Sequence, residues 1–172
     1  RGLVSPVEFI PIAEETNLIL PIGEWVLEQV CYQTQEWNTL GYSLVAAVNA
    51  SAKQFLKSDM KEVVSKILGR TGLSPSNLKL EVTESLAMQD VDHSVETLTE
   101  LTNMGVRISI DDFGTGYSSL GYLKKFPFHT LKIDRSFISD LPDNVEDSKI
   151  TKTIVSMAQS LELEIVAEGV ET

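Results

Sequence analysis

Basic residues are scarce in this chain of 172 residues: 14 Lys and Arg stand against 25 Asp and Glu, a formal net charge of −11. Broad, salt-sensitive attachment to duplex nucleic acid needs a basic face, so that class of partner is excluded. A small anionic ligand is not excluded, because bound divalent cations reverse the local field of an acidic surface. Cysteine is almost absent. Cys31 stands alone, so no internal disulfide can form, and its place on an apolar helical stretch reads as a buried small hydrophobe in reducing surroundings. The two histidines, His93 and His129, lie away from strand ends, which leaves a Ser-His-Asp triad or a His/Cys metal cluster without support. No GK[ST] follows the glycine-bearing loop FGTG, so that loop is not a Walker-type phosphate cradle. No apolar run reaches the roughly 18 residues needed to cross a bilayer, and no signal-like segment opens the chain. The reading is a cytoplasmic domain, with membrane anchoring of a larger parent protein left open.

What is present, 42% hydrophobic and 23% charged residues, suits one globular domain over 1–172 with a substantial core. Ser5, Pro6 and Glu8 form a helix-start signature with a capping box, and the first helix is expected to end near Asn17. A second helix is expected over 21–40, with Ile22, Trp25, Val26, Val30 and Trp37 on its packed face and both tryptophans in the core. Short β-branched runs predict strands over 44–48, 78–82, 106–110, 130–133 and 163–167, the first of them buried on both faces. Between them, helical patterns fall over 52–56, 59–68, 90–104, a short stretch before Pro127, and 145–161, where Ile150, Ile154, Val155, Ala158 and Leu161 share a face. Strands alternating with helices predict parallel β-α units with right-handed crossovers.

Each of the five strands carries, at or near its C-terminal end, a group able to bind a cation or an anion: Asn49, Glu81, the pair Asp111 and Asp112, Lys132, and Glu168. That distribution favours a (β/α)8 TIM-like barrel over an open doubly wound sheet, which concentrates ligand contacts at one switch point. A complete barrel takes about 250 residues and eight strands, so the expectation is an incomplete barrel of about five parallel strands, in a chain cut from something longer.

Four carboxylates at one barrel mouth repel by about 4 kcal/mol per close pair at 4 Å and an effective dielectric near 20, so something cationic must sit among them. Oxygen donors without histidine or cysteine favour Mg²⁺ or Mn²⁺ over zinc. Taken singly, each group has an ordinary alternative: an Asp-rich capping turn for DDFGTGYSS, a frayed-end glutamate for Glu81, a helix N-cap for Asn49 or Ser51, and a structural ion pair for Lys132 and Asp134, which lie two apart on one strand face. In the functional alternative, Lys132 orients water or neutralises a transferring phosphoryl group while Asp134 holds it in place.

The strings SPVEFIPIAEE, VNAS, EVTES, DDFGTGYSSL, FPFHTLKIDRSF and VAEGVET, in this order, resemble successive motifs of the EAL family of cyclic di-GMP phosphodiesterases over nearly the whole chain. The resemblance implies an EAL-type modified TIM barrel and hydrolysis of cyclic di-GMP to linear pGpG with Mg²⁺ or Mn²⁺, two ions in all. It makes Asn49, Glu81, Asp111 and Asp112 metal ligands, with Asp111 bridging, and Glu168 a further carboxylate of the metal site. Lys132, Glu168 and Asp134 take the catalytic roles, Lys132 by positioning the attacking water. Glu84 matches the glutamate that steadies the loop after Asp112, a loop through which a homodimer is expected, and Glu171 falls at a supporting position. An adjoining diguanylate cyclase or sensor domain is a further expectation. Three departures stand beside these matches. The glutamate and arginine of the EAL signature belong before Arg1, the family's Gln-Gly segment belongs after Thr172, and His129 stands where relatives usually carry Asp. The chain by itself is therefore expected to show little activity, and a non-catalytic cyclic di-GMP receptor on the same fold is the competing reading.

Overall fold

The computed structural model describes residues 2–116 and 120–170, which fall into two units, Arg1–Leu78 and Lys79–Thr172. The first unit holds α1 (Pro6–Glu15), α2 (Ile19–Thr39), β1 (Ala46–Asn49), α3 (Ala52–Lys57) and α4 (Met60–Thr71). Its core forms where α2 packs on α3 and α4, burying Leu27, Cys31, Phe55, Met60, Val64 and Ile67. Burial pushes the Cys31 thiol up to about 11, so it stays protonated and inert at neutral pH.

Three expectations fail here, each for a local reason. Ser5 is the N-cap of α1 but its side chain makes no cap bond. The Glu8 amide is taken at 2.9 Å by the Ser5 carbonyl instead. The capping box forms at α3, where Ser51 accepts from the Gln54 amide and the Gln54 side chain accepts from the Ser51 amide. The tryptophans are outside the core, Trp25 62% and Trp37 44% exposed. The inward stripe of α2 runs instead through Leu27, Cys31 and Thr34, at i, i+4 and i+7, with Trp25 on the opposite side. β1 is not buried on both faces: Ala46 and Val48 are half-buried, and Ala47 and Asn49 are exposed, the alternation of a strand covered on one side.

The second unit contains β2 (Leu78–Thr83), β3 (Arg107–Phe113), β4 (Thr130–Ile133) and β5 (Glu164–Ala167), with α5 (Glu84–Gln89), α6 (Val91–Asn103), α7 (Leu120–Leu123) and α8 (Val145–Ser160) between them. The four strands pair in parallel in chain order, with Thr83 level with Asp111, Ile110 level with Leu131, and Lys132 level with Val166. Parallel neighbours require a crossover on a face of the sheet, and the sequence supplies one in each interval. Leu80, Val82, Ile108, Ile110, Leu131 and Ile133 are at most 2% exposed; each such burial stabilises by about 1.5–3 kcal/mol.

Three differences from expectation matter. A helix, α5, occupies the stretch between β2 and the expected α6. Thr83 caps it by accepting from the Leu86 amide at 3.3 Å, and Glu84 becomes its first residue. β3 continues through Asp111 and Asp112 to Phe113 rather than stopping before them. On α8, Ile154 and Ala158 are buried but Ile150 is 41% exposed; Thr151, half-buried, takes the inward position one turn earlier by donating to the Phe137 carbonyl at 3.1 Å.

Candidate active site

Parallel strands place their C-terminal ends at one edge of the sheet, and the polar residues there meet around a single ammonium. Lys132, on β4, alternates with the buried Leu131 and Ile133, so it faces the side away from their packing. Its Nζ lies 2.9 Å from Glu81 Oε2 on β2, 2.9 Å from Asp111 Oδ1 on β3 and 2.7 Å from Glu168 Oε1, which directly follows β5. Glu81, Asp111 and Lys132 have side chains only 12–14% exposed, whereas Glu168 is 31% exposed.

Asp112 joins the cluster through an irregularity. Adjacent residues of a regular strand point to opposite faces, yet oxygens of Asp111, Asp112 and Glu168 all lie within 4.8 Å of one another. The pairing of β3 with β4 shifts register between Ile110 and Phe113, and Asp112 adopts a φ of 53°. A bulge of this kind re-aims one side chain, and here it turns two consecutive carboxylates toward one point. Nothing in the string DD announces it; the glycines that follow are the one available hint.

The electrostatics express crowding. Burial, then Asp111, Asp134 and Glu168, push the Asp112 carboxyl above its ordinary value, with Lys132 opposing. For Lys132, burial alone acts downward, and hydrogen bonds to Glu168, Asp111 and Glu81 overcome it and hold the ammonium above its usual range. Lys132 is thus favoured as a cation by these three partners. One ammonium among the carboxylates of Glu81, Asp111, Asp112 and Glu168 leaves an excess of negative charge, which a divalent cation would offset. The donor set, oxygen throughout, fits a hard ion such as Mg²⁺ or Mn²⁺.

The remaining sequence candidates fall elsewhere. Asp134 does not pair with Lys132. It caps the turn Arg135–Phe137, accepting from the Ser136 amide at 3.0 Å and from the Ser136 hydroxyl, bonds that hold its carboxyl below the usual value. The lysine is occupied by three carboxylates, which leaves Asp134 to the nearer donors. Glu84, 1% exposed, accepts from the Gly114 amide at 2.8 Å in the loop after β3. Its other oxygen has no hydrogen-bond partner among the described residues. Asn49 ends β1 in the first unit, exposed. Glu171 lies outside the described residues, as do Tyr117, Ser118 and Ser119 of the string DDFGTGYSS. Arg135 and Phe137, which sequence reading passed over, flank this site and are taken up below.

This fold coincides with what comparison finds. The chain belongs to the EAL domain family, whose model matches residues 1–172. It is similar to the bifunctional diguanylate cyclase/cyclic di-GMP phosphodiesterase MucR of Pseudomonas aeruginosa, at 52% identity over 100% of this chain and 25% of that protein. It is also similar to the signalling protein YkoW of Bacillus subtilis, at 48% identity over 98% of this chain and 21% of the relative. Among solved structures, the PaMucR phosphodiesterase in its c-di-GMP complex superposes with a TM-score of 0.96 at 51% identity, covering 100% of this chain and 70% of that one. The chain spans about a fifth to a quarter of the length of these curated relatives. The fold is accordingly the α/β, TIM-barrel-like one of EAL structures, of which the five strands here form part. EAL domains are in general metal-dependent c-di-GMP phosphodiesterases.

Proposed function

We propose that this domain hydrolyses cyclic di-GMP to linear pGpG with Mg²⁺ or Mn²⁺. The observation that carries the reading is the placement of Lys132 against Glu81, Asp111 and Glu168, with Asp112 turned into the same group. Asp111, Asp112, Glu81 and Glu168 would hold a pair of cations. When bound, such ions lower the pKa of water and stabilise both the entering and leaving oxygens of phosphoryl transfer.

In the reaction, water oxygen bonds to phosphorus, the bond from phosphorus to one 3′ oxygen breaks, and that oxygen leaves with a proton. Lys132, held protonated by its three partners, does not act as the base. It donates hydrogen bonds and positive charge, orienting the water or the phosphoryl oxygens as charge accumulates on them. Glu84, through its bond to the Gly114 amide, steadies the loop that follows Asp111 and Asp112. Asp134 acts on the site through the turn it caps, and Glu171 takes a supporting role. A homodimer through the loop after Asp112, an adjoining diguanylate cyclase domain like that in MucR's name, and a cytoplasmic location belong to the same reading; no helix among the described residues is long and apolar enough to cross a membrane.

The test is chromatographic detection of pGpG from cyclic di-GMP, with calorimetric binding in parallel, for the wild type and for Glu81→Gln, Asp111→Asn and Asp112→Asn in the intact protein. Loss of product by about 10²-fold or more with nucleotide binding retained supports metal-centred hydrolysis. Binding by the wild type without cleavage at any Mg²⁺ or Mn²⁺ concentration makes the domain a receptor instead.

A further inference from the structure

The loops that carry the acidic residues of the site share a support, the single turn that follows β4. We propose that Arg135 and Phe137, in the single turn after β4, are positioning residues: Phe137 seats the loop behind Asp111 and Asp112, and Arg135 seats the loop behind Glu168. The inference rests on the reading of that cluster as a divalent-cation centre.

The turn is a fixed base. Asp134 caps its start through the Ser136 amide at 3.0 Å. Within it, the Phe137 amide donates to the Asp134 carbonyl at 3.1 Å and the Ile138 amide to the Arg135 carbonyl at 3.0 Å. Its far end is tied to α8, where the Thr151 hydroxyl donates to the Phe137 carbonyl at 3.1 Å. Displacing it costs several hydrogen bonds at once.

From that base two side chains reach in different directions, and each meets a glycine. A Cβ on Gly114 would lie 2.7 Å from Phe137 Cε2, and a Cβ on Gly169 would collide with Arg135 Cγ and lie 2.9 Å from Cδ. Both glycines are also left-handed, with φ of 101° and 70°, a conformation that other residues adopt at a cost. Gly114 comes two residues after Asp112, and Gly169 directly follows Glu168. On its other side Gly114 is tied by its amide to Glu84, so the backbone behind the two aspartates is clamped between a carboxylate and an aromatic ring. The methylene stem of Arg135 does the same for the backbone behind Glu168. A glycine at each contact lets the supporting side chain approach to where it limits the loop, and the loop sets the direction of its carboxylate toward Lys132. Groups that orient a metal's ligands without binding the metal are typically worth about 10- to 100-fold in affinity.

The experiment compares Phe137→Ala, Arg135→Ala and Arg135→Lys with the wild type in the intact protein, by amide hydrogen exchange without metal and by calorimetric Mn²⁺ titration. Phe137→Ala should speed exchange at residues 112–116 about tenfold and leave 166–170 unchanged. Arg135→Ala should do the reverse, with β2 unaffected in both. Both alanine variants should weaken Mn²⁺ binding about tenfold, and Arg135→Lys, which keeps the stem, should recover most of it. Exchange that rises uniformly through β2 to β5, or loops that do not respond, overturns the proposal, as does an unchanged Mn²⁺ isotherm in variants whose loops have loosened. A wild type that binds no Mn²⁺ refutes the metal-centre reading, and the exchange pattern then still decides whether the turn seats the two loops.

Discussion

Lys132 occupies the position that decides how the acidic residues coexist. Its ammonium is bonded to three carboxylates, and removing one partner of such a buried group typically costs about 3–5 kcal/mol. Lys132→Ala should therefore destabilise the metal-free protein on that scale in urea unfolding. The same substitution frees the oxygens of Glu81, Asp111 and Glu168, so Mn²⁺ affinity should hold or tighten while pGpG formation falls by about 10²- to 10³-fold; calorimetry and product assay read the two effects separately. Asp134 gives a pH test. Its folded pKa is depressed by the Ser136 bonds, so its contribution is present above the unfolded carboxylate value and is lost as pH falls through the lower folded one. Asp134→Ala should cost about 1 kcal/mol at pH 7, the scale of a helical cap, and the gap from the wild type should close in strongly acid solution. Urea midpoints measured at both ends of that range check it. The sequence placed Lys132 and Asp134 on one strand face and suggested a pair. It could not show that three carboxylates from other strands would compete for the lysine, because such long-range partners leave no trace in local spacing.

At the scale of elements, hydrophobic runs were legible and their ends were not. The strand expected over 130–133 is β4 without change, since a short apolar run bounded by Pro127 and Asp134 has little freedom. β3 outran its expected end because Asp111 and Asp112, residues depleted in strands, are carried by the pairing of Asp111 with Thr83 of β2 and by a register shift before Phe113 pairs with Ile133 of β4. The packed face of α2 was misjudged because bulky aromatics outweighed the smaller Leu27, Cys31 and Thr34 in the pattern. α5 was missed because its Thr83 cap immediately follows a strand. Caps also separate signature from use. Ser51→Ala, which breaks a formed box, should lower the unfolding free energy by about 1 kcal/mol. Ser5→Ala, at a helix whose N-cap side chain makes no bond, should change it by under about 0.5 kcal/mol; chemical denaturation of the two variants side by side discriminates them.

For the molecule as a whole, family and fold were readable because the motifs are strand ends, and strand ends are where a parallel α/β fold collects its chemistry. What the sequence did not carry is how those ends are aimed: the bulge at Asp112, the turn at Arg135 and Phe137, and the lysine's choice of partners each depend on residues far apart in the chain. One consequence of that aiming, a cluster more negative than its one ammonium can balance, underlies the proposal that the site works with divalent cations. The rate of pGpG formation from cyclic di-GMP, followed as Mn²⁺ is titrated into chelator-treated protein, measures this directly. The account predicts no turnover without metal, saturable recovery as Mn²⁺ is added, and no recovery in Asp111→Asn; turnover that persists in excess chelator, or an Asp111→Asn protein as active as the wild type, would contradict it.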